Sequence, residues 1–451
     1  MSILTKVRFA PSPTGFMHAG NIKIAILNYL FAKKTGGVFV LRIDDTDAKR
    51  SFQESENAIL EDLHWMGLEW DEFYRQSERI SGYKAAMKHL EGAGRIYPCY
   101  ETREELAIKK KTQARNGIPP IYDRASLFLG TEEKQRLENS GIPVYWRFKL
   151  SDNEFVEWND LVHGKISIPL NSMSDPVLIK PDGSFVYILT SIVDDIDIGI
   201  THIIRGDDHM TNTAVQLDIF AALGGKKLEF AHIPLMSAPN NHEVSKRSDS
   251  IFSLRNMRKN GILPEAIANF LASLGTSNSP NPRDTLSDLV EKFSFAKISL
   301  ASSKFYMDEL KLFSRKMLSE KTFDEIKEHL ESYGLEDISE DIWYAVRNNI
   351  ESVADLRIWH NVFYGEIGHV TVDEVFLQQM LDALDSAADF DSWISKLKQT
   401  SSKHGKDLYN PIRLVLTGLE HGPELEKIAK ILGVRRLKHR IEKCIEKQKT
   451  K

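Results

Sequence analysis

Two short segments of the chain carry residue types suited to binding phosphate groups. The first runs from Arg8 to Asn21 and joins an arginine at a strand end to a stiff proline and glycine loop and then to the start of a helix. Gly15 and Gly20 let a ligand approach the backbone closely. Helix starts offer unpaired amide donors and a favourable dipole, and His18 can add a side-chain donor. The segment indicates a phosphate site; a helix cap with a packed histidine is the alternative.

The second segment is Ser245-Lys246-Arg247-Ser248, which follows a strand-like run by about nine residues and has polar neighbours on both sides. This composition is typical of a mobile phosphate-binding loop, and a plain surface turn is the alternative. Several aspartates could be taken for metal ligands, but we expect them to cap and to form networks at the top of the sheet. They are Asp45, Asp47, Asp194 and Asp195.

The elements that must position these segments can be read from the apolar pattern. Residues 6–10 and 38–43 are predicted strands, and residues 18–33 have helical apolar spacing. A strand, loop, helix and strand in this order predict an open α/β sheet, in which ligands bind beyond the carboxyl ends of the strands. Those ends carry residues 8–15 and 44–47.

Residues 97–180 mix helix-like and strand-like patterns, which predicts an insertion into this first domain. Strands are predicted to return at 185–189, 199–205 and 230–236, with a helix at 211–223. Beyond about residue 251 the chain is mostly helical.

Composition excludes several classes of protein. The chain has 451 residues, 42% of them hydrophobic and 27% charged, which is ordinary for a globular protein of about three domains and not for a disordered or fibrous one. No apolar run reaches the roughly 18 residues that span a bilayer, and the first 14 residues do not resemble a signal peptide. We therefore expect a cytoplasmic protein without membrane contact.

Charge and cysteine content narrow the partners further. The net charge of -5 does not indicate a nucleic-acid partner, so any such partner must meet a local patch. One basic run is visible, with ten basic and two acidic residues between 427 and 451; a solvated helical tail is the alternative. Cys99 and Cys444 are too few for a disulfide framework or for a zinc site by themselves.

Taken in order, His18-Ala19-Gly20-Asn21 and Ser245-Lys246-Arg247-Ser248 resemble the two signature motifs of class I aminoacyl-tRNA synthetases. Four segments make the chain similar to the bacterial glutamyl-tRNA synthetases in particular. They are residues 8–20, Leu41-Arg42-Ile43-Asp44-Asp45-Thr46-Asp47, Val193-Asp194-Asp195 and Ile204-Arg205-Gly206-Asp207-Asp208-His209.

The resemblance implies a Rossmann-like parallel-sheet catalytic domain with an α+β insertion, followed by an all-helical anticodon-binding region. The implied boundaries are 1–96 and 185–240 for the two catalytic halves, 97–184 for the insertion that grips the acceptor stem, 241–315 for the signature loop and stem contacts, and 316–451 for the anticodon domain. The implied activity is ATP-dependent ligation of L-glutamate to tRNA(Glu) through a glutamyl-adenylate, with transfer to the 3′-terminal ribose.

Glutamate brings two carboxylates and one ammonium, so its pocket needs two cations and an anion. By resemblance, Arg8 clamps the side-chain carboxylate with help from the Tyr187 hydroxyl, and Arg205 faces the α-carboxylate. Salt bridging to the neighbouring aspartates is the alternative for both arginines. The ammonium is implied to lie near Asp44, Ser12 and the Ala10 carbonyl.

The implied nucleotide site uses His18 and Lys246 on the phosphates, with Gly20 beneath. The implied catalytic set is His18, Gly20, Asn21, Ser245, Lys246 and Arg247, and the implied ribose and adenine contacts are Asp208, Leu235 and Met236. No side-chain nucleophile is needed, because the substrate carboxylate attacks the α-phosphorus itself. Magnesium is expected to arrive with ATP, without a resident metal site.

The chain departs from the family at several positions. Asp44 stands where a glutamate is usual, Glu243 begins the second motif where a lysine is usual, and Cys99 is the only thiol in the insertion, so we expect no structural zinc. A paralogue that binds tRNA without charging it is an alternative, favoured only by Glu243. A nucleotidyltransferase that modifies tRNA with glutamate is disfavoured by the long helical half. We expect a monomer, and tRNA(Gln) remains open as a second substrate.

Overall fold

A computed structural model describes residues 4–46, 52–152, 155–238, 252–368 and 370–449. The chain forms two compact units. The first comprises Met1–Asn256 with Ala268–Tyr306, and the second comprises Met257–Ile267 with Met307–Lys451. None of the described helices combines the length and apolar character needed to span a bilayer.

The strands of the described ranges are β1 (Lys6–Phe9), β2 (Val38–Ile43), β3 (Glu72–Arg75), β4 (Ile96–Cys99), β5 (Tyr145–Phe148), β6 (Phe155–Asp160), β7 (Gly164–Pro169), β8 (Val177–Ile179), β9 (His202–Gly206), β10 (Glu229–Ile233), β11 (Met236–Ser237) and β12 (Ser303–Lys304).

The α-helices are α1 (Ala19–Lys34), α2 (Gln53–Trp65), α3 (Ile80–Gly92), α4 (Arg103–Arg115), α5 (Thr131–Asn139), α6 (Tyr187–Asp197), α7 (Met210–Ala222), α8 (Leu254–Lys259), α9 (Pro264–Ser273), α10 (Leu286–Lys292), α11 (Met307–Glu320), α12 (Phe323–Ser332), α13 (Glu340–Val346), α14 (Leu356–Tyr364), α15 (Glu374–Asp385), α16 (Phe390–Ser401), α17 (Lys406–Thr417) and α18 (Leu425–Lys449), the last interrupted at Gly433.

The main sheet has the strand order β3-β2-β1-β9-β10-β6-β7. All neighbours pair in parallel except β6 and β7, which form an antiparallel hairpin. The order reverses at β1, which lies between β2 and β9, and the carboxyl ends of these three strands lie at one edge. Ligands of open α/β sheets bind at such a switch point. The predicted α/β fold with a helical C-terminal region is confirmed.

Most predicted elements of the catalytic half are confirmed to within three residues, including β1, α1, β2, β9 and α7. The predicted strand at 185–189 is wrong, because α6 begins at Tyr187. Ile188, Leu189, Ile192 and Val193 are all buried, and their spacing of three and four residues is that of a helix face. A five-residue window was too short to separate this pattern from a buried strand.

The segment predicted as an insertion contributes to two sheets. Strands β4, β5 and β8 form a separate antiparallel sheet, whereas the β6–β7 hairpin joins the main sheet beside β10. Trp158 of β6 is buried in the same apolar cluster as Phe230 of β10 and Ile203 of β9. Part of this segment therefore completes the main sheet, and the boundaries 97–184 stay a prediction.

Candidate active site

The first signature segment builds a capped helix start. His18 is the N-cap of α1; its Nδ1 accepts a hydrogen bond from the Gly20 amide at 3.2 Å, and its own amide donates to Asn21 Oδ1 at 3.4 Å. Because Nδ1 is an acceptor, the neutral ring carries its proton on Nε2, which is then a donor suited to a phosphate oxygen. A Cβ added at Gly20 would lie 3.0 Å from His18 Cε1. The ring therefore lies directly over the glycine.

The chain on either side of the second signature segment is tied down within the first unit. Ser253 forms an antiparallel bridge with His18, and the Ala19 amide donates to the Phe252 carbonyl at 3.0 Å. On the other side, β11 pairs in parallel with β12. The residues of the second signature segment to which the sequence analysis gave a role lie outside the described residues. These are Glu243, Ser245, Lys246 and Arg247, and Asp47 also lies outside them.

The loops after β1 and β2 are joined at the same sheet edge. The Asp44 amide donates to the Pro11 carbonyl at 3.0 Å, which brings Asp44 to the loop that carries Ala10 and Ser12. Ser12 is exposed and Ala10 is half-buried. The three residues predicted to surround the ammonium group of glutamate therefore lie on adjacent loops.

A buried network of opposite charges lies beneath these loops. Asp195 Oδ1 accepts from Arg8 Nε at 3.1 Å and from Arg42 Nη1 at 2.9 Å. Arg42 also donates to both carboxylate oxygens of Asp44, at 2.6 and 3.1 Å. Burial raises the pKa of Asp44 despite the opposing charges of Arg42 and Arg8. The pKa of the fully buried Arg42 is raised, because these carboxylates outweigh its desolvation.

The sequence analysis did not assign Arg42 to the site. For an arginine inside a buried strand, the neighbouring sequence does not show whether the side chain supports other site residues or contacts the ligand itself. Two of the other sheet-top aspartates, Asp45 and Asp194, form networks as expected. Asp45 accepts from the Ser77 amide at 2.8 Å. Asp194 accepts from Tyr83 at 2.9 Å and from Arg79 at 2.5 Å.

Arg205 on β9 differs from Arg8 in having no carboxylate within 4 Å among the described residues. It donates to Thr213 Oγ1 at 2.6 Å and to His232 Nε2 at 3.4 Å, both neutral acceptors. Burial, followed by repulsion from Arg8, lowers the pKa of Arg205 to about 10. The guanidinium is still charged at neutral pH, so it is a buried cation whose described carboxylate neighbours, Asp195 and Asp208, act on it from beyond 4 Å.

Three neighbours complete the wall beside Arg205. Asn212 Nδ2 donates to the Tyr187 hydroxyl at 2.9 Å, and the rings of Tyr187 and His209 are 6.3 Å apart. Burial and the nearby charge of Arg205 lower the pKa of His209, so its ring is neutral at pH 7. Asn212 and His209 were not predicted; His209 closes the Ile204–His209 motif, and its position was the only signal.

The residues predicted for the ribose and adenine lie after β9 and β10. The Leu235 amide donates to Asp207 Oδ1 at 3.2 Å, and a Cβ at Gly206 would lie 3.2 Å from Leu235 Cδ2. The Asp208 side chain is half exposed, and Met236 is buried. Asp207, which was not predicted, is therefore the residue that joins these two strand ends.

Comparisons with known proteins identify the family of this chain. The family model for the catalytic domain of class I tRNA synthetases (E and Q) matches residues 5–318, and that of an anticodon binding domain matches residues 371–445. Glutamate–tRNA ligase 2 of Hyphomonas neptunium is 42% identical over 441 residues, which cover 96% of this chain and 99% of that protein. Glutamate–tRNA ligase 1 of Maricaulis maris is 44% identical over 436 residues, covering 95% and 97% respectively.

The fold is also similar to a solved structure. The crystal structure of a glutamate tRNA ligase from Elizabethkingia meningosepticum in complex with its amino acid has a TM-score of 0.84 and 28% identity to this chain. The similarity covers 98% of this chain and 99% of that one.

Proposed function

The chain belongs to the glutamate-type class I aminoacyl-tRNA synthetases, and we propose that the edge formed by β1, β2 and β9 joins L-glutamate to tRNA(Glu) at the expense of ATP. One observation supports this site most directly. Two buried arginines, Arg8 and Arg205, lie on neighbouring parallel strands, and among the described residues Arg8 has a carboxylate within 4 Å whereas Arg205 has none. A second anion is needed to balance them, and a dicarboxylic substrate supplies it.

Glutamate is bound by complementary charge. We assign its α-carboxylate to Arg205, whose guanidinium can donate in a bidentate manner. Its side-chain carboxylate is assigned to Arg8 and the Tyr187 hydroxyl, and its ammonium group to Asp44, the Ala10 carbonyl and Ser12. Since both carboxylate oxygens of Asp44 already accept from Arg42, the ammonium contact uses their remaining lone pairs.

Activation is a displacement at phosphorus. The α-carboxylate of glutamate attacks the α-phosphorus of ATP, the bond to the pyrophosphate oxygen breaks, and glutamyl-adenylate forms. His18 Nε2–H is assigned to the phosphates, with Gly20 giving close backbone approach and Asn21 holding the cap. Ser245, Lys246 and Arg247 are assigned to the charge that develops on the leaving group, and Asp208, Leu235 and Met236 to the nucleoside.

Magnesium enters this scheme with ATP, held by its phosphates and by water, where it neutralises phosphate charge. Within the described ranges no group of three or more His, Cys, Asp or Glu side chains is arranged to hold a metal ion.

Transfer to tRNA completes the reaction. A ribose hydroxyl of the 3′-terminal adenosine, the 2′-hydroxyl by resemblance, attacks the carbonyl carbon, the bond to AMP breaks, and the hydroxyl proton is lost. We assign the acceptor stem to the 97–184 segment and the anticodon to the helical region, where the anticodon-binding match lies. We further propose that the protein is a cytoplasmic monomer.

A charging assay tests the proposal. Purified protein is incubated with ATP, labelled glutamate and either tRNA(Glu) or tRNA(Gln), and the products are separated on acid gels. We expect ATP-dependent charging of tRNA(Glu); the tRNA(Gln) reaction decides whether a second substrate exists. Arg205→Ala should abolish charging, whereas Lys84→Ala, at an exposed position on α3, should not. Failure of the folded wild-type chain to charge either tRNA overturns the proposal.

A further inference from the structure

The second unit contains a cavity of about 170 Å³ that the proposed reaction does not use. It lies between the 364–368 segment at the end of α14 and the part of α18 that follows Gly433. At about 30 Å³ per liquid water, this space holds about six waters. A phosphate group fits such a volume.

One face of α18 lines the cavity with cations. Arg436, Arg440, Lys443 and Lys447 recur at intervals of three and four residues, which places them on one side of a helix. Among the described lining residues, Glu366 is the one carboxylate, and it pairs with Lys443. The four cationic side chains and the one carboxylate therefore leave the described lining with an excess of positive charge.

Within the part of the chain that the structure describes, two of these cations donate to neutral carbonyl groups and form no ion pair. Arg440 is 6% exposed and donates to the carbonyls of Leu416 and Val362, and Arg436 donates to the carbonyl of Phe363. Burial, followed by repulsion from Arg436, lowers the pKa of Arg440 to about 10. Like charges four residues apart on a helix destabilise it, and a buried charge without a counterion is costly. An anion in the cavity removes both costs.

We propose that this cavity is a phosphate-binding site, which accepts a tetrahedral phosphate from an RNA backbone or as a free ion. Arg436 and Lys447 provide the contacts at the cavity mouth, and Arg440 provides the buried positive charge behind them. Among the described residues Lys447 makes no ion pair, so it has a free ammonium group to offer. The RNA source rests on the proposed function, whereas the free-ion source does not.

Cys444 provides a probe inside the site. It lines the cavity, and the only other cysteine, Cys99, is buried in the first unit. Occupancy of the cavity should therefore slow alkylation of Cys444 by iodoacetamide. A ligand that closes the site slows alkylation by the factor one plus the ratio of the free ligand concentration to the dissociation constant. At a ligand concentration ten times the dissociation constant, alkylation is therefore about tenfold slower.

The experiment follows alkylation of the Cys444 peptide by mass spectrometry in the full-length chain. Inorganic phosphate is titrated at constant ionic strength against chloride, and tRNA(Glu) is titrated separately. Lys447→Gln should remove most of the protection. Lys430→Gln removes one charge from the same helix at an exposed position outside the cavity lining, and should retain it.

The arms separate the two sources. Protection by tRNA assigns the site to an RNA phosphate if the salt dependence also changes. The slope of log affinity against log salt concentration should then fall in magnitude by about one in Lys447→Gln but not in Lys430→Gln. Protection by inorganic phosphate alone assigns it to a free ion. Absence of protection by both, or equal protection in Lys447→Gln, overturns the proposal. Because alkylation does not require charging, this result is independent of the charging assay.

Discussion

The backbone of Ser253 pairs with that of His18 in an antiparallel bridge. This bridge places the chain that follows the second signature segment against the capped start of α1. Before the second signature segment, β11 (Met236–Ser237) pairs with β12 (Ser303–Lys304). The segment therefore lies between two parts of the chain, β11 and Ser253, that are both paired within the first unit. The two motifs are therefore connected through the backbone, and changes at the α1 cap should affect ATP use.

Gly20→Ala tests the cap. The added Cβ would lie 3.0 Å from the His18 ring, so the ring must move and its Nε2 donor with it. Misplacing a group that orients phosphate costs about tenfold to a hundredfold in rate. We expect that loss in ATP–pyrophosphate exchange measured with tRNA present. The matched control is Gly92→Ala at the end of α3, where a Cβ meets no atom within 4 Å. An equal loss in both variants would show that the cap geometry is irrelevant.

Arg8→Ala tests the glutamate clamp. Leaving a substrate carboxylate without its charged partner costs about 3–5 kcal/mol, so kcat/KM for glutamate should fall about a hundredfold or more. The fold should persist, because Asp195 keeps its contact with Arg42 at 2.9 Å. Steady-state charging at varied glutamate concentration measures the effect. A loss below about tenfold would assign the clamp to another residue.

Arg205→Met separates function from stability. The pKa of Arg205 is lowered to about 10, so the folded protein carries the cost of the buried charge at every pH below that value. Removing the charge should stabilise the ligand-free protein by about 1–3 kcal/mol, while stabilisation by added glutamate disappears. Urea unfolding at 25 °C, with and without glutamate, measures both. A destabilised variant that still responds to glutamate would contradict the assignment.

Lys23 predicts a pH dependence of stability. It lies on α1, is 5% exposed, and donates to the Leu274 carbonyl at 2.9 Å. Burial lowers its pKa from 10.5 to about 8. Between these values the unfolded chain binds more protons than the folded one, so stability rises with pH.

Lys23→Met should therefore be more stable than wild type at pH 7, by up to about 3 kcal/mol. The difference should shrink as the pH approaches 10. Urea unfolding at both pH values, with exposed Lys84→Met as the control, measures it. A difference that does not change with pH would show that the Lys23 ammonium group is not desolvated.

The surroundings of Cys99 lead us to expect no stoichiometric zinc. Its Sγ lies 3.6 Å from the Tyr122 hydroxyl, and Glu101 accepts from Tyr122 at 2.8 Å and from Ser126 at 2.9 Å. These groups satisfy one another. Elemental analysis should find less than stoichiometric zinc, EDTA should leave the Tm unchanged, and Glu101→Gln should cost about 1–3 kcal/mol. One zinc per chain would refute the expectation.

The local sequence was sufficient for the α/β class and for β1, α1 and β2, whereas the roles of the two signature segments stay a prediction. Apolar periodicity and glycine and proline placement are properties of neighbouring residues, so they can be read without the fold. The same local reading was wrong for α6, whose first residues alone are equally compatible with a buried strand.

The pairing of charges depended on the tertiary structure. The sequence placed Arg8, Asp44 and Arg205 at strand ends. It did not show that Asp195 links Arg8 to Arg42, that Arg42 donates to both oxygens of Asp44, or that no described carboxylate lies within 4 Å of Arg205. These facts depend on the order and register of β2, β1 and β9 and on α6 packing beneath them. Register is set by contacts between residues far apart in the chain, and for this reason no local pattern encodes it.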